Sequence, residues 1–275
     1  MQQLACGALQ KMRTELSDTV TYFLPVGDQE VPMNELIGKP ITLHYQGAIN
    51  CTHCGRKTNK SFSQGYCYPC FKSLPQCDQC IVKPELCHFH EGSCRDESWG
   101  EQFCFQDHYV YLANSSGVKV GITRGTQVPT RWMDQGAVQA LPIFKVATRL
   151  QSGKVERLLG EHVADKTNWR KMLKNDVEDL DLTATRDLLF ETCQAGLLAL
   201  ENEFGLHAMQ RLPDAEQIEI NYPVLNYPQK VTSFNFDKTP EVSGVLQGIK
   251  GQYLILDTGV INMRKFTAYQ VAISA

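Results

Sequence analysis

Four cysteines early in the chain stand as two close pairs, Cys51-Thr-His-Cys54 and Cys67-Tyr-Pro-Cys70, with twelve residues between the pairs. Each pair offers two sulfurs from one tight turn, and the intervening loop can bring the second pair round to close a thiolate tetrahedron around a metal ion. Gly55 and Gly65 flank the pairs, where such turns need unusual backbone angles. Disulfides are the competing chemistry, and they belong to oxidising compartments. The segment beginning Met1-Gln-Gln-Leu-Ala-Cys6 has no basic stretch, apolar stretch or small-residue cleavage site of a secretory leader. The expectation is a structural Zn²⁺ site in a cytoplasmic protein.

A second group follows at Cys77-Asp-Gln-Cys80, Cys87-His-Phe-His90, Cys94 and Cys104, which is more ligands than one tetrahedron needs. The simplest closure is a second structural Zn²⁺ held by Cys77, Cys80, Cys87 and Cys94. His90, Cys104 or His108 could each replace a cysteine, because imidazole and thiolate both suit zinc. An iron–sulfur cluster is the alternative for such a thiolate set. A zinc deaminase is not supported, since its H-x-E and P-C-x-x-C elements are missing. Both sites would present the basic loop Arg56, Lys57 and Lys60 with the aromatics Phe62, Tyr66, Tyr68 and Phe71. Lysines interleaved with aromatics suit single-stranded DNA or RNA through phosphate contact and base stacking. The same rings could equally pack the ribbon against its neighbours.

Around these residues the 275-residue chain is long enough for about two domains. No apolar run approaches the roughly 20 residues that span a bilayer. The formal charge of −3 hides an asymmetry, because residues 118–174 carry eleven Lys and Arg against four Asp and Glu. A phosphate-facing surface would have that composition. Short alternating runs such as Val20-Thr-Tyr-Phe-Leu and Pro40-Ile-Thr-Leu-His-Tyr mark strands before residue 48, and Gln252-Tyr-Leu-Ile-Leu-Asp257 marks one near the end. The terminal strands could belong to one barrel that the middle interrupts. Tyr109-Val-Tyr-Leu and Val118-Lys-Val-Gly-Ile form a hairpin across Asn114-Ser-Ser-Gly117. A short helix starts near Pro129, a strand runs from Ile143, and a helix follows with Ser152 as N-cap and His162 on its apolar stripe. A longer helix covers about 183–203, with Cys193 as a small core residue. No internal repeat is evident. The fold class is α+β: a small mixed sheet with helices, a zinc-ribbon-type cysteine domain and flanking strands. The divisions fall at 1–48 (β), 49–106 (double zinc-binding), 107–210 (α/β core with a C-terminal helix) and 211–275 (β).

The segment His108-Tyr-Val-Tyr-Leu-Ala-Asn-Ser-Ser-Gly-Val-Lys-Val-Gly-Ile-Thr123, followed by Arg131-Trp132 and by Glu156, resembles the GIY-YIG nuclease superfamily in its Lys-Ile-Gly branch. The likeness covers about residues 108–174. It implies a divalent-metal-dependent phosphodiester hydrolase in which Tyr109 or Tyr111 lies near the attacking water with Lys119 assisting. Arg131 would clamp the phosphate, and Glu156 would hold one Mg²⁺ or Mn²⁺. The first glycine of the pattern is replaced, Thr123 or Arg124 stands where several members carry histidine, and Asn168 is the candidate for a late asparagine. Arg124 joins Arg56, Lys57 and Lys60 as a nucleic-acid contact. The cysteine motifs, Gly65-Tyr-Cys-Tyr-Pro-Cys70 and Thr123-Arg-x6-Arg-Trp132 are also similar to an uncharacterised bacterial family carrying a domain of unknown function. The alternative to an enzyme is a non-catalytic zinc-ribbon module that binds nucleic acid, or a protein adaptor, with the same core as scaffold.

Overall fold

The two ends of the chain build one sheet. In the computed structural model, which describes residues 1–163, 168–205 and 207–275, six strands follow one another in the order Gln3–Ala8, Tyr269–Ser274, Pro40–Asn50, Glu241–Lys250, Tyr253–Leu256 and Gly259–Asn262. Lys57–Thr58 adds to the side of Pro40–Asn50, and Arg13–Glu15, Thr21–Val26 and Gln29–Pro32 form a small second sheet. Thr21–Val26 alternates half-buried and buried positions, so Tyr22, Leu24 and Val26 enter the core that the two sheets share.

These ends repeat one plan. An opening strand, a hairpin, a 3₁₀ turn and a closing strand occur as Gln3–Ala8, Thr21–Val26 with Gln29–Pro32, Met33–Leu36 and Pro40–Asn50. They recur as Glu241–Lys250, Tyr253–Leu256 with Gly259–Asn262, Met263–Phe266 and Tyr269–Ser274. Each opening strand pairs with the other half's closing strand, and the closing strands pair with each other. Gly7-Ala-Leu-Gln-Lys-Met12 corresponds to Gly244-Val-Leu-Gln-Gly-Ile249, and Leu9, Met12, Leu246 and Ile249 are all fully buried. Both glycines permit close approach to a hairpin tip. A Cβ on Gly7 would lie 2.6 Å from Gly27 Cα, and one on Gly244 would lie 2.5 Å from Asp257 Oδ1. The repeat absent from the sequence reading is therefore present in the fold. Its matched stretches are short, far apart, and separated by unequal loops.

Between the halves lies the core sheet, ordered Met209–Arg211, Gln139–Val146, His108–Asn114, Val118–Arg124, with Ile218–Glu219 also on Gln139–Val146. Its ladders are antiparallel. One face packs Val110, Leu112 and Val120 against Val155 and Leu159 of the Arg149–Gly160 helix, and against Leu189 and Leu197. The other face sends Tyr111, Ala113 and Ala140 into the core of the terminal sheets beside Trp132. Val118–Arg124 is left as an edge strand.

The Arg149–Gly160 helix starts earlier than expected, because Thr148 and Gln151 make a reciprocal capping box. Ser152 is instead fully buried inside the helix and bonds the Arg149 carbonyl at 2.7 Å. His162 lies past the helix end and is exposed, not in the core. The single long helix is two, Leu182–Thr192 and Gln194–Phe204, joined at Cys193, which is buried as expected. Among the described residues no helix is long and apolar enough to cross a membrane.

Candidate metal centre and basic groove

The ribbon closes around Cys51, Cys54, Cys67 and Cys70, whose sulfurs all lie within 4.8 Å of one another. Cys54 and Cys67 are 3.7 Å apart, close to the ~3.8 Å edge of a tetrahedron with metal–sulfur bonds of about 2.3 Å. Gly65 has φ +138°, and a Cβ there would meet Thr52 at 2.8 Å, so the second turn admits no side chain. Burial alone would raise the Cys51 thiol, but N–H groups of Cys54, Cys67 and His53 directed at its sulfur bring it down to about 6. All eleven cysteines are free thiols. This four-cysteine cluster is suited to hold a metal ion such as zinc.

Of Cys77, Cys80, Cys87 and Cys94, Cys77 stands apart from Cys80 and Cys87. Cys77 faces the ribbon, where Ser63 bonds its sulfur and Cys51 is close enough to interact with it. Its partner Cys80 lies instead beside Cys87. Hydrogen bonds from Cys104 and Cys80 pull the Cys87 thiol down, and the thiols of Cys80 and Cys104 are pushed up in turn. Cys104 reaches this group because it ends the Glu97–Cys104 helix, and Cys94 is the next sulfur along. Asp78 and His88 also approach Cys80, with Arg95 bonding Asp78 at 2.6 Å. His90 is exposed beside Glu91. His108 is fully buried, its Nδ1 lies 2.7 Å from the Gln106 carbonyl, and burial lowers its pKa to about 4. It is therefore a neutral imidazole whose Nε2 has no hydrogen-bond partner among the described residues.

The second cysteine set docks on the core at one point. A Cβ on Gly153 would lie 2.4 Å from the Glu85 nitrogen, so the helix meets the Pro84–Leu86 turn backbone to backbone. Arg149 donates to the Ile81 carbonyl at 2.6 Å and to that of Cys80 at 3.4 Å. This docking makes Ile81, Val82 and Pro84 one wall of an open groove of about 880 Å³ along the edge strand.

Six cations line that groove: Lys11, Lys119, Arg124, Arg131, Arg149 and Arg264. Two carboxylates, Asp134 and Glu156, oppose them. Asp134 is engaged by Lys11 at 2.7 Å and by Gln252 at 2.8 Å. Gln252 also bonds both the N–H and the carbonyl of Met12, so the two terminal segments hold the short Thr130–Asp134 helix that carries Arg131. Beneath the groove floor lies Tyr111. It pairs with Gly121, and a Cβ there would lie 2.7 Å from its hydroxyl, so only glycine leaves room over the ring. The Tyr111 hydroxyl donates to Gln135 Oε1 at 3.0 Å. Burial raises its pKa to about 12, with Arg131 opposing the rise and Glu156 adding to it.

Lys119, Arg131, Glu156 and Arg124 thus share one groove, with Tyr111 under it. Tyr109 is not among them. Its ring neighbours Gly125, and its backbone pairs with Thr123 and Lys145 at the far end of the strand. Asn168 caps the Trp169–Lys174 helix. Arg56, Lys57 and Lys60 are exposed on the ribbon, outside the groove lining. Lys11, Arg149 and Arg264 went unseen in the sequence. Arg149 lies inside the basic block 118–174, whereas Lys11 and Arg264 carry no local signal.

The chain belongs to the family described as protein of unknown function (DUF2797), whose sequence profile matches residues 38–271. No curated protein and no solved structure matches the chain.

Proposed function

We propose that this protein is a divalent-metal-dependent phosphodiester hydrolase of the GIY-YIG type, acting on DNA or RNA in the cytoplasm, with two structural zinc sites. The observation that carries this reading is the convergence of Lys119, Arg131 and Glu156 on one open, cation-lined groove above Tyr111. Cleavage needs an activated water, neutralised phosphoryl oxygens and a stabilised leaving alkoxide. Arg131, whose helix is held through Asp134 by Lys11 and Gln252, binds the phosphoryl oxygens. Lys119 lies along the same edge strand, where it assists the water. Tyr111 stays protonated at neutral pH and orients through its hydroxyl. Glu156, the second groove carboxylate, would hold one Mg²⁺ or Mn²⁺ that keeps most of its waters and supplies charge neutralisation. Cys51, Cys54, Cys67 and Cys70 would hold one zinc. Cys80, Cys87 and Cys104 with Cys94 would hold the other.

Purified protein incubated with labelled DNA and RNA is expected to cleave with Mg²⁺ or Mn²⁺ and not with EDTA. Glu156→Gln should abolish cleavage and keep binding, because the amide is nearly isosteric and lacks the charge. Arg131→Ala should slow cleavage about 100- to 1,000-fold. Cleavage by Glu156→Gln at the wild-type rate would remove the catalytic assignment. A second reading, a non-catalytic nucleic-acid-binding or adaptor module on the same scaffold, is favoured by one observation: Tyr111 is fully buried, with its hydroxyl already bonded to Gln135.

A further inference from the structure

The groove does not end at the core. Arg264, which lines it near Arg131, donates from Nε to Gln64 Oε1 of the ribbon at 2.6 Å. Burial and the nearby Arg131 charge both lower the Arg264 pKa, as expected where cations are gathered to meet an anion. Ser61 of the same ribbon hairpin donates to the Thr267 carbonyl at 3.2 Å, just past the turn that carries Arg264. The ribbon surface is therefore fixed to the groove rim at two points.

Beyond Gln64 lies an aromatic platform. Phe62 is 5.5 Å from Tyr68 and 5.5 Å from Phe71, nearly parallel to the latter at 27°. Lys60 Nζ sits 5.2 Å from the Phe62 ring centre. The ribbon core consists of Cys51, Cys67 and Cys70 with Tyr66 and Leu74, so Tyr66 packs inward while the other three rings lie outside that cluster. Tyr68 is 55 % exposed on a helix pinned between Cys67 and Cys70. Residues 51–76 carry Arg56, Lys57, Lys60 and Lys72 and no Asp or Glu. A rigid, exposed ring in an acid-free basic field has the chemistry of a base-stacking surface. Paired bases hide their faces inside a duplex and cannot use it.

We propose that the ribbon continues the groove as a track for an unpaired nucleic-acid strand, whose phosphates pass Arg264 while a base stacks on Tyr68. The proposal rests on reading the groove as a phosphate-binding site, and it names the substrate as single-stranded or flanked by an unpaired strand. Fluorescence anisotropy without added divalent ions tests it, using oligothymidylate and oligoadenylate RNA of about 12 nucleotides and a blunt duplex of the same length. Wild type should bind the single strands at least about tenfold more tightly than the duplex. Tyr68→Ala should weaken single-strand binding about 5- to 100-fold, the range for one lost stacking contact, and leave duplex binding unchanged. Tyr68→Phe should bind like wild type. Lys60→Glu, on an exposed loop, should weaken the same probes without touching the ribbon core. Equal affinity of wild type for duplex and single strands, or wild-type binding by both Tyr68→Ala and Lys60→Glu, would overturn the track. If those variants also cleave single strands normally, the hydrolytic reading survives that failure. Tyr68-dependent binding with no cleavage in Mg²⁺ or Mn²⁺ would leave the track standing and remove the hydrolase.

Discussion

The two cysteine clusters are assembled by different means. In the ribbon, each ligand pair lies within one turn, and a hairpin joins the pairs, so the site is complete within twenty residues, Cys51 to Cys70. In the second set, Cys80 and Cys87 come from successive 3₁₀ turns while Cys104 arrives at the end of a separate helix. That set is also anchored from outside, through Arg149 on the Cys80 and Ile81 carbonyls and through the Gly153 contact. One site is local and self-sufficient. The other depends on being docked, and the docking is what gives the groove its far wall.

The contrast can be broken in order of decreasing effect. Cys51→Ser or Cys67→Ser should strip the ribbon of metal and unfold it, because structural zinc supplies apparent folding energy of about 10–16 kcal/mol in small zinc modules. Elemental analysis should show about two equivalents of zinc in wild type and loss of one, with limited proteolysis confined to the ribbon. A metal-free, folded wild type would end this account. The second cluster separates its candidates: Cys104→Ser should lower zinc by about one equivalent, whereas Cys77→Ser should leave the content unchanged. The reverse result would restore Cys77 as a ligand. Smallest should be Gly153→Ala. A Cβ forced against the Pro84–Glu85 backbone should cost about 1–3 kcal/mol, seen as a lower melting temperature with zinc retained. Were stability unchanged, the turn would not be docked as described.

What could be read from the chain follows the same divide between local and distant. The ribbon ligands were legible because their spacing alone fixes their geometry. Lys119, Arg131 and Glu156 were singled out through a family resemblance rather than their own spacing, and they line one groove. The choice between Tyr109 and Tyr111 was not, since both lie on one strand and only the hairpin register, which sets Gly121 across from Tyr111, separates them. The neighbourhood of Cys104 and Cys87 was open in the sequence, where Cys104 stood only as an alternative, because their proximity depends on how a helix folds back. Lys11 and Arg264 were invisible for a stronger reason. They sit near opposite ends of the chain and meet only through the pairing of the terminal strands. The terminal sheet was half legible: its strands alternate clearly, but the repeat that explains their pairing has only Gly-x-Leu-Gln in common.

That repeat governs when the groove can exist during folding. Arg264 and Gln252 belong to the second repeat, which is made last and pairs with strands made first. Closing so long a loop is entropically slow, and folds dominated by distant pairings are the slow ones. During synthesis the ribbon and the core sheet can form first, while the short helix bearing Arg131 still lacks the Gln252 contact that steadies Asp134. The cation-lined groove is thus the last part of this molecule to mature, and a chain stalled before residue 252 would carry a finished ribbon beside an unfinished groove.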